Sequence, residues 1–275
     1  MRRRTIAAAT QALSGIGVRS GAQISVSLMP AEACGGLRIQ RTDVGACVPL
    51  HLDRALDLPN CTAVGTCEQD ATLFVEHLMA ALHMHCVTDV TVRVDGPEIP
   101  LLDGSALPWS RLIADAGVRE LDQHIEPLTV TAPLRVEESD KWVSAEPAPT
   151  ASYTFDLKYE NPLIGHEVTS FLPAKDSFDD ALAPARTFAL FEEIQQAIAA
   201  GMLRGGTQEN CRIVYADRYS DPPTLPQEFA RHKIVDMLGD LYLLGRPVVG
   251  RFMGYRSGHA HNRALLCKLA KHANV

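Results

Sequence analysis

Glu228-Phe-Ala-Arg-His-Lys-Ile-Val-Asp-Met-Leu-Gly-Asp-Leu241 reads as one amphipathic helix with chemistry along one side. Phe229, Ile234, Val235, Leu238 and Leu241 recur at helical spacing, while His232, Asp236 and Asp240 stand four apart and share a stripe. Four residues are about one turn, so the His232 imidazole and the Asp236 carboxylate can converge on one point, with Lys233 beside them. An imidazole and a carboxylate meeting in this way supply half of a zinc site. An ordinary surface pair has the same spacing, so the helix alone leaves both readings open.

Outward from this helix, the second half of the chain predicts strands at Leu128–Val136, Lys141–Ala145 and Tyr153–Lys158, a helix over Phe191–Ala199, and a turn at Arg204-Gly-Gly206. A strand Cys211–Tyr215 follows, then the helix quoted above, a strand Pro247–Tyr255 and a last helix His261–Lys271. The first half has a similar order. Strands Arg4–Ala9, Ala22–Pro30 and Leu37–Arg41 are separated by the turns Ser14-Gly-Ile-Gly17 and Cys34-Gly-Gly36, and Ile24-Ser-Val-Ser-Leu28 alternates as a half-buried strand does. A helix over Asp70–His85, with Phe74, Leu78, Ala81 and Leu82 on one face, precedes the strand Asp89–Val94, a loop Pro97–Ser105 and a helix Trp109–Ala116 that Gly117 ends. The polar stretch Glu120–Glu126 divides the two. The expected fold is α+β, with an N-terminal domain 1–124 and a C-terminal domain 125–275 of like architecture, without a visible sequence repeat. A site between them is the natural place for a ligand.

With 275 residues, 46% of them hydrophobic, the chain can bury a sizeable core. A net charge of −7, spread without long runs, gives no basis for a nucleic-acid or membrane-surface role. The seven cysteines are scattered and form no CxxC pair, which points to a reducing compartment rather than a disulfide framework. No run of about twenty apolar residues occurs, so no stable membrane insertion is expected, and the location reads as cytoplasmic.

Completing a catalytic metal site takes a third ligand and an activating carboxylate, and Glu76-His77 on the first-half helix offers both. His77 could cap the metal while Glu76 reaches a bound water as general base. Equally, His77 could be a buried, hydrogen-bonded core histidine.

Five motifs then occur in order: Val75-Glu-His-Leu78, Pro97-Glu-Ile-Pro-Leu-Leu-Asp-Gly-Ser-Ala106, Ala185-Arg-Thr-Phe188, Glu228-Phe-Ala-Arg-His-Lys233 and Tyr255-Arg-Ser-Gly-His259. Together they make the chain similar to the UDP-3-O-acyl-N-acetylglucosamine deacetylases, zinc amidases of lipid A synthesis, over nearly its whole length. The resemblance implies that His77, His232 and Asp236 hold Zn²⁺ (Fe²⁺ suits the same donors) and that Glu76 takes the water proton. It implies that His259 is a cationic general acid oriented by Asp240, and that Lys233 and Thr187 stabilise the oxyanion. It further implies two packed domains, each with a small insert: Leu56–Gly65 with Cys61-Thr62, and a strand-helix-strand unit over about 191–215. Phe188, Leu203, Cys211 and Ile213 would line an acyl passage, and Lys141, Tyr159 and Arg256 would contact nucleotide and phosphate. The implied partner is a small UDP-linked acylated amino sugar, and the protein a monomer.

Several positions depart from the family pattern. Phe74 replaces a small hydroxyl residue, Arg256 a lysine, Glu160 an amide and Gln208 an apolar residue, with Arg204 unusual beside it. Alternation of the strand after Gln208 would put Cys211 and Ile213 inward and Arg212 outward. These departures fit a related metal amidohydrolase of another N-acyl sugar or amide. A non-catalytic metal- or ligand-binding relative is the third reading.

Overall fold

The computed structural model describes residues 1–32 and 35–273, so Cys34 of the expected turn Cys34-Gly-Gly36 lies outside the described residues. Six helices are described among them: α1 (Glu76–Met84), α2 (Leu107–Ala116), α3 (Phe178–Ala181), α4 (Phe191–Ala199), α5 (Glu228–Leu241) and α6 (His259–Ala273). With two five-stranded sheets and several short ribbons, the fold is α+β.

The two large sheets share one plan. In the first, the spatial order is Leu13–Ile16, Gln23–Pro30, Val90–Val94, Leu37–Arg41, Ala46–Pro49. In the second it is Leu134–Glu138, Lys141–Glu146, Arg251–Tyr255, Ser152–Lys158, His166–Phe171. Each sheet forms two antiparallel hairpins, and a strand arriving last in sequence slides between them, parallel to one neighbour. In each, α1 or α5 immediately precedes that central strand, and α2 or α6 follows it. Each also carries extra ribbon just before α1 or α5. The first is the three-stranded piece Ala55–Leu56, Ala63–Val64, Thr72–Leu73; the second is Phe188–Leu190 paired in parallel with Arg212–Val214 across α4.

Alternation explains which faces are buried. Ile24, Val26 and Leu28 turn inward from one strand while Ser25 and Ser27 stay half-exposed, and Tyr153, Phe155 and Leu157 do the same in the second sheet. All of these belong to one continuous apolar core that also takes in Leu78 and Leu82 of α1 and Phe229, Ile234, Val235, Leu238 and Leu241 of α5. Helices α1 and α5 pack on each other, and α5 also packs on strands Ser152–Lys158 and His166–Phe171. Their closest approach is at Gly239, where a Cβ would lie 2.0 Å from the Glu76 carbonyl oxygen. A side chain there would force the helices apart, which is why a helix interior carries glycine despite its propensity cost.

The structure corrects several boundaries. The helix expected from Asp70 starts at Glu76, because Asp70 folds back to accept from the Thr66 and Cys67 amides and Thr72–Leu73 joins the small ribbon. Phe74 therefore lies off the helix, at φ 60°, in the turn that leads into it. The polar stretch around Glu120 belongs to the strand Val118–His124, which pairs with the N-terminal strand Arg2–Ile6 and buries only Leu121. Leu128–Val136 splits into Leu128–Thr129 and Leu134–Glu138, and Pro247–Tyr255 breaks at Gly250, where a Cβ would meet Val130 at 2.6 Å. The last helix begins at His259 rather than His261. Strands Ala46–Pro49 and His166–Phe171, and the short α3, were not expected from sequence. Among the described residues no helix is long and apolar enough to cross a membrane.

Candidate active site

Close packing of α1 on α5 brings His77, His232 and Asp236 together, all buried, with one ligand atom of each within 4.8 Å of the others. The two imidazoles meet edge to face with centroids 4.9 Å apart. Asp236 Oδ1 lies 3.4 Å from His232 Nε2 and 3.7 Å from His77 Nε2.

The protonation pattern follows from the surroundings. His232 Nδ1 donates to the Ala185 carbonyl at 3.0 Å, which fixes its tautomer and leaves Nε2 with a lone pair toward Asp236. Burial pushes its pKa down to about 3, so the ring is neutral. Burial alone would raise the Asp236 carboxyl, but Lys233, whose ammonium donates to Oδ2 at 2.9 Å, holds it well below the usual carboxylate range. A neutral imidazole nitrogen and an ionised carboxylate oxygen, both acceptors, thus face each other across 3.4 Å. Such a pair is unfavourable unless a cation sits between its members, so the donor set fits a divalent metal.

On one side of this triangle stands Glu76, the first residue of α1, 3% exposed. Burial pushes its carboxyl up, against the pull of His259 and His77. Its Oε2 accepts from the Thr62 amide at 3.0 Å and its Oε1 lies 4.0 Å from His259 Nε2. On the other side, at the start of α6, His259 Nδ1 donates to Asp240 Oδ2 at 2.9 Å. Burial would lower the His259 pKa, but Asp240, Asp236 and Glu76 outweigh it and raise it to about 10, so the ring is a cation at neutral pH. Sequence reading found every one of these groups. It missed the Ala185 carbonyl, which no side-chain pattern reveals, and Asn262, whose Nδ2 donates to Asp240 Oδ2 at 2.8 Å from one turn further along α6.

The remaining predicted residues separate into groups. Thr187 is pinned through its backbone, its N–H donating to the Gly104 carbonyl and its C=O accepting from Arg212 N–H. Phe188 packs edge-on against Phe229 and Tyr159, with the Lys233 ammonium 5.6 Å from its ring. Lys141 and Arg256 extend the Trp142–Tyr255 pair at one end of the second sheet; Lys141 is exposed, while Arg256 is ion-paired to Asp140. Tyr159 follows the strand Ser152–Lys158 directly, and Glu160 is exposed. Leu203 turns at φ 59°, half-buried. Burial pushes the Cys211 thiol up to about 12, and that of Cys61 likewise.

One expectation fails here. Arg212 does not point outward: it is fully buried, its guanidinium bonded to Glu228 and to Asp221. Paired residues share a sheet face, and Phe188 pairs with Arg212, so both face α5 while Ile213 pairs with Ala189 on the opposite face. Phe188 and Ile213 therefore do not line one wall. Thr62 of the first insert, expected among the substrate contacts, meets Asp240 and His259 through its hydroxyl.

A buried His-His-Asp triangle between a carboxylate and a carboxylate-paired imidazole, in an α+β chain, is a candidate metal centre of the kind hydrolases use to activate water. Over residues 3–271 the chain matches the family described as LpxC, UDP-3-O-acyl N-acetylglycosamine deacetylase. Proteins named UDP-3-O-acyl-N-acetylglucosamine deacetylase are similar to it: 38% identical in Phenylobacterium zucineum (94% of this chain, 89% of that one), 35% in a Synechocystis species (94% and 95%), and 31% in Helicobacter pylori (92% and 86%). The chain belongs to this deacetylase family, and is an enzyme that hydrolyses an N-acetyl amide.

Proposed function

We propose that the protein removes the acetyl group from a UDP-linked 3-O-acyl-N-acetylglucosamine, acting as a monomer in the cytoplasm, with Zn²⁺ held by His77, His232 and Asp236. The observation that carries this reading is the facing pair His232 Nε2 and Asp236 Oδ1, set between Glu76 and His259. When bound, the metal supplies Lewis acidity to a water and to the amide oxygen. Glu76, with Oε1 free, takes a proton from the water. His259, cationic and held by Asp240, gives one to the departing amine. In this reading the Lys233 ammonium and the Thr187 hydroxyl stabilise the negative charge that grows on the amide oxygen. Residues 1–124 and 125–275 act as two domains, each supplying half of the centre. Lys141, Tyr159 and Arg256 grip the nucleotide at the end of the second sheet, and Phe188, Leu203, Cys211 and Ile213 meet the acyl chain around the second insert.

Zinc-loaded protein is expected to release acetate from the UDP-linked substrate. Glu76→Ala is expected to lower kcat by about 10²–10⁴-fold, the usual weight of a general base, with zinc content unchanged. Absence of turnover on folded, zinc-loaded wild type rules out this substrate. A Glu76→Ala variant with full activity rules out the base assignment.

A further inference from the structure

Thr62 reaches the site from the first insert and makes four contacts there with separate consequences. Its N–H donates to Glu76 Oε2 at 3.0 Å and its C=O accepts from Val75 N–H at 3.2 Å, so the peptide grips the start of α1 at two points. Its hydroxyl donates to Asp240 Oδ1, and Oγ1 lies 3.1 Å from His259 Nδ1. The remaining Asp240 oxygen takes His259 and Asn262.

We propose that Thr62 is the positioning residue that sets the separation between Glu76 and His259, through its amide on the one and its hydroxyl on the partner of the other. The inference rests on the base and acid roles given to Glu76 and His259 above. With Oε2 occupied by the Thr62 amide, Glu76 keeps Oε1 for a reacting proton, 4.0 Å from His259 Nε2. At that separation one reacting group lying beside the pair can reach both a base and an acid fixed in place. Asp240, held at Oδ1 by Thr62 and at Oδ2 by His259 and Asn262, cannot rotate about its carboxyl bond, so the imidazole it carries cannot swing. Thr62 is 8% exposed, so solvent cannot substitute for the hydroxyl. Alignment of a base with an acid matters to the transition state more than to binding, so the hydroxyl acts on kcat rather than KM.

Thr62→Val replaces the hydroxyl by a methyl of similar volume, Thr62→Ala removes it without adding one, and Thr62→Ser keeps it. With zinc-loaded, folded protein, Thr62→Val and Thr62→Ala are expected to lose about 10–100-fold in kcat, the scale for groups that orient a catalytic residue. KM and zinc content should stay within about twofold, and Thr62→Ser should recover most of the loss. In proton NMR of the metal-free protein, the His259 Nδ1–H resonance, identified by its absence from His259→Gln, should be kept by Thr62→Ser and displaced in the two hydroxyl-free variants. The proposal is overturned if either hydroxyl-free variant retains wild-type kcat, if Thr62→Ser falls as far as Thr62→Val, or if zinc is lost with the hydroxyl. Should wild type itself prove inactive, the function above fails, and the NMR comparison decides the positioning role alone.

Discussion

At the scale of single residues, the proposed mechanism gives Glu76 and His259 opposite duties, and their neighbours poise each for its own. Glu76 must be ionised to accept a proton, and burial raises its carboxyl, so activity falls as pH drops through that raised value. His259 must be protonated to donate, so activity falls as pH rises through its own, and the profile is bell-shaped. Asp240 is the largest of the attractions that outweigh burial and lift His259 to about 10. Asp240→Asn removes that charge, and the alkaline limb is expected to move to lower pH while kcat falls roughly 10–100-fold. Rate profiles across pH for the two proteins test this, and an alkaline limb that stays in place would detach Asp240 from the proton donor. A bound dication, by repelling the extra proton, moves both limbs downward in every variant, so comparisons belong at one metal occupancy.

At the scale of elements, the contact of α1 with α5 is the joint on which the centre depends. Gly239→Ala would press a methyl into the Glu76 backbone, and overpacking of this kind costs about 1–3 kcal/mol. The expected result is a lowered denaturation midpoint together with a loss of bound zinc, since His77 and His232 move apart as the helices do. A variant with wild-type stability and metal content would show that the joint yields freely. Much of this scale was readable in the sequence. The helix over 228–241, its buried stripe, the helix over 191–199 and the strand Leu37–Arg41 all follow from periodicity. Periodicity misplaced the start of α1 because Phe74 and Leu78 match a helical face, while the Asp70 turn that interrupts them is a matter of side-chain hydrogen bonds. It also misdirected Arg212, because alternation says nothing of Glu228 and Asp221, the acidic groups that let a charge be buried. Motif order picked out His77, His232, Asp236, Glu76 and His259, which the fold brings together, whereas the Thr62 contacts depend on how the first insert folds over α1, which no local pattern encodes.

At the scale of the whole molecule, ligands drawn from distant parts of the chain make metal binding a source of stability. A metal that binds the native state alone adds about 4 kcal/mol at a thousandfold excess over its Kd. For a chain of this size that amounts to a rise in Tm on the order of 10 °C. Stripping the protein with a chelator and reloading it should lower and restore the melting temperature by this amount, and identical melting of the two forms would argue against a shared centre. The same separation has a bearing on synthesis. At roughly 5–20 residues per second, a ribosome releases His77 on the order of ten seconds or more before His232 and Asp236. The nascent first half, with only Glu76 and His77 to offer, cannot close around a metal during that interval. The three donors are thus complete only once α5 has been made, so a metal that needs all of them is expected to enter late in synthesis or after it.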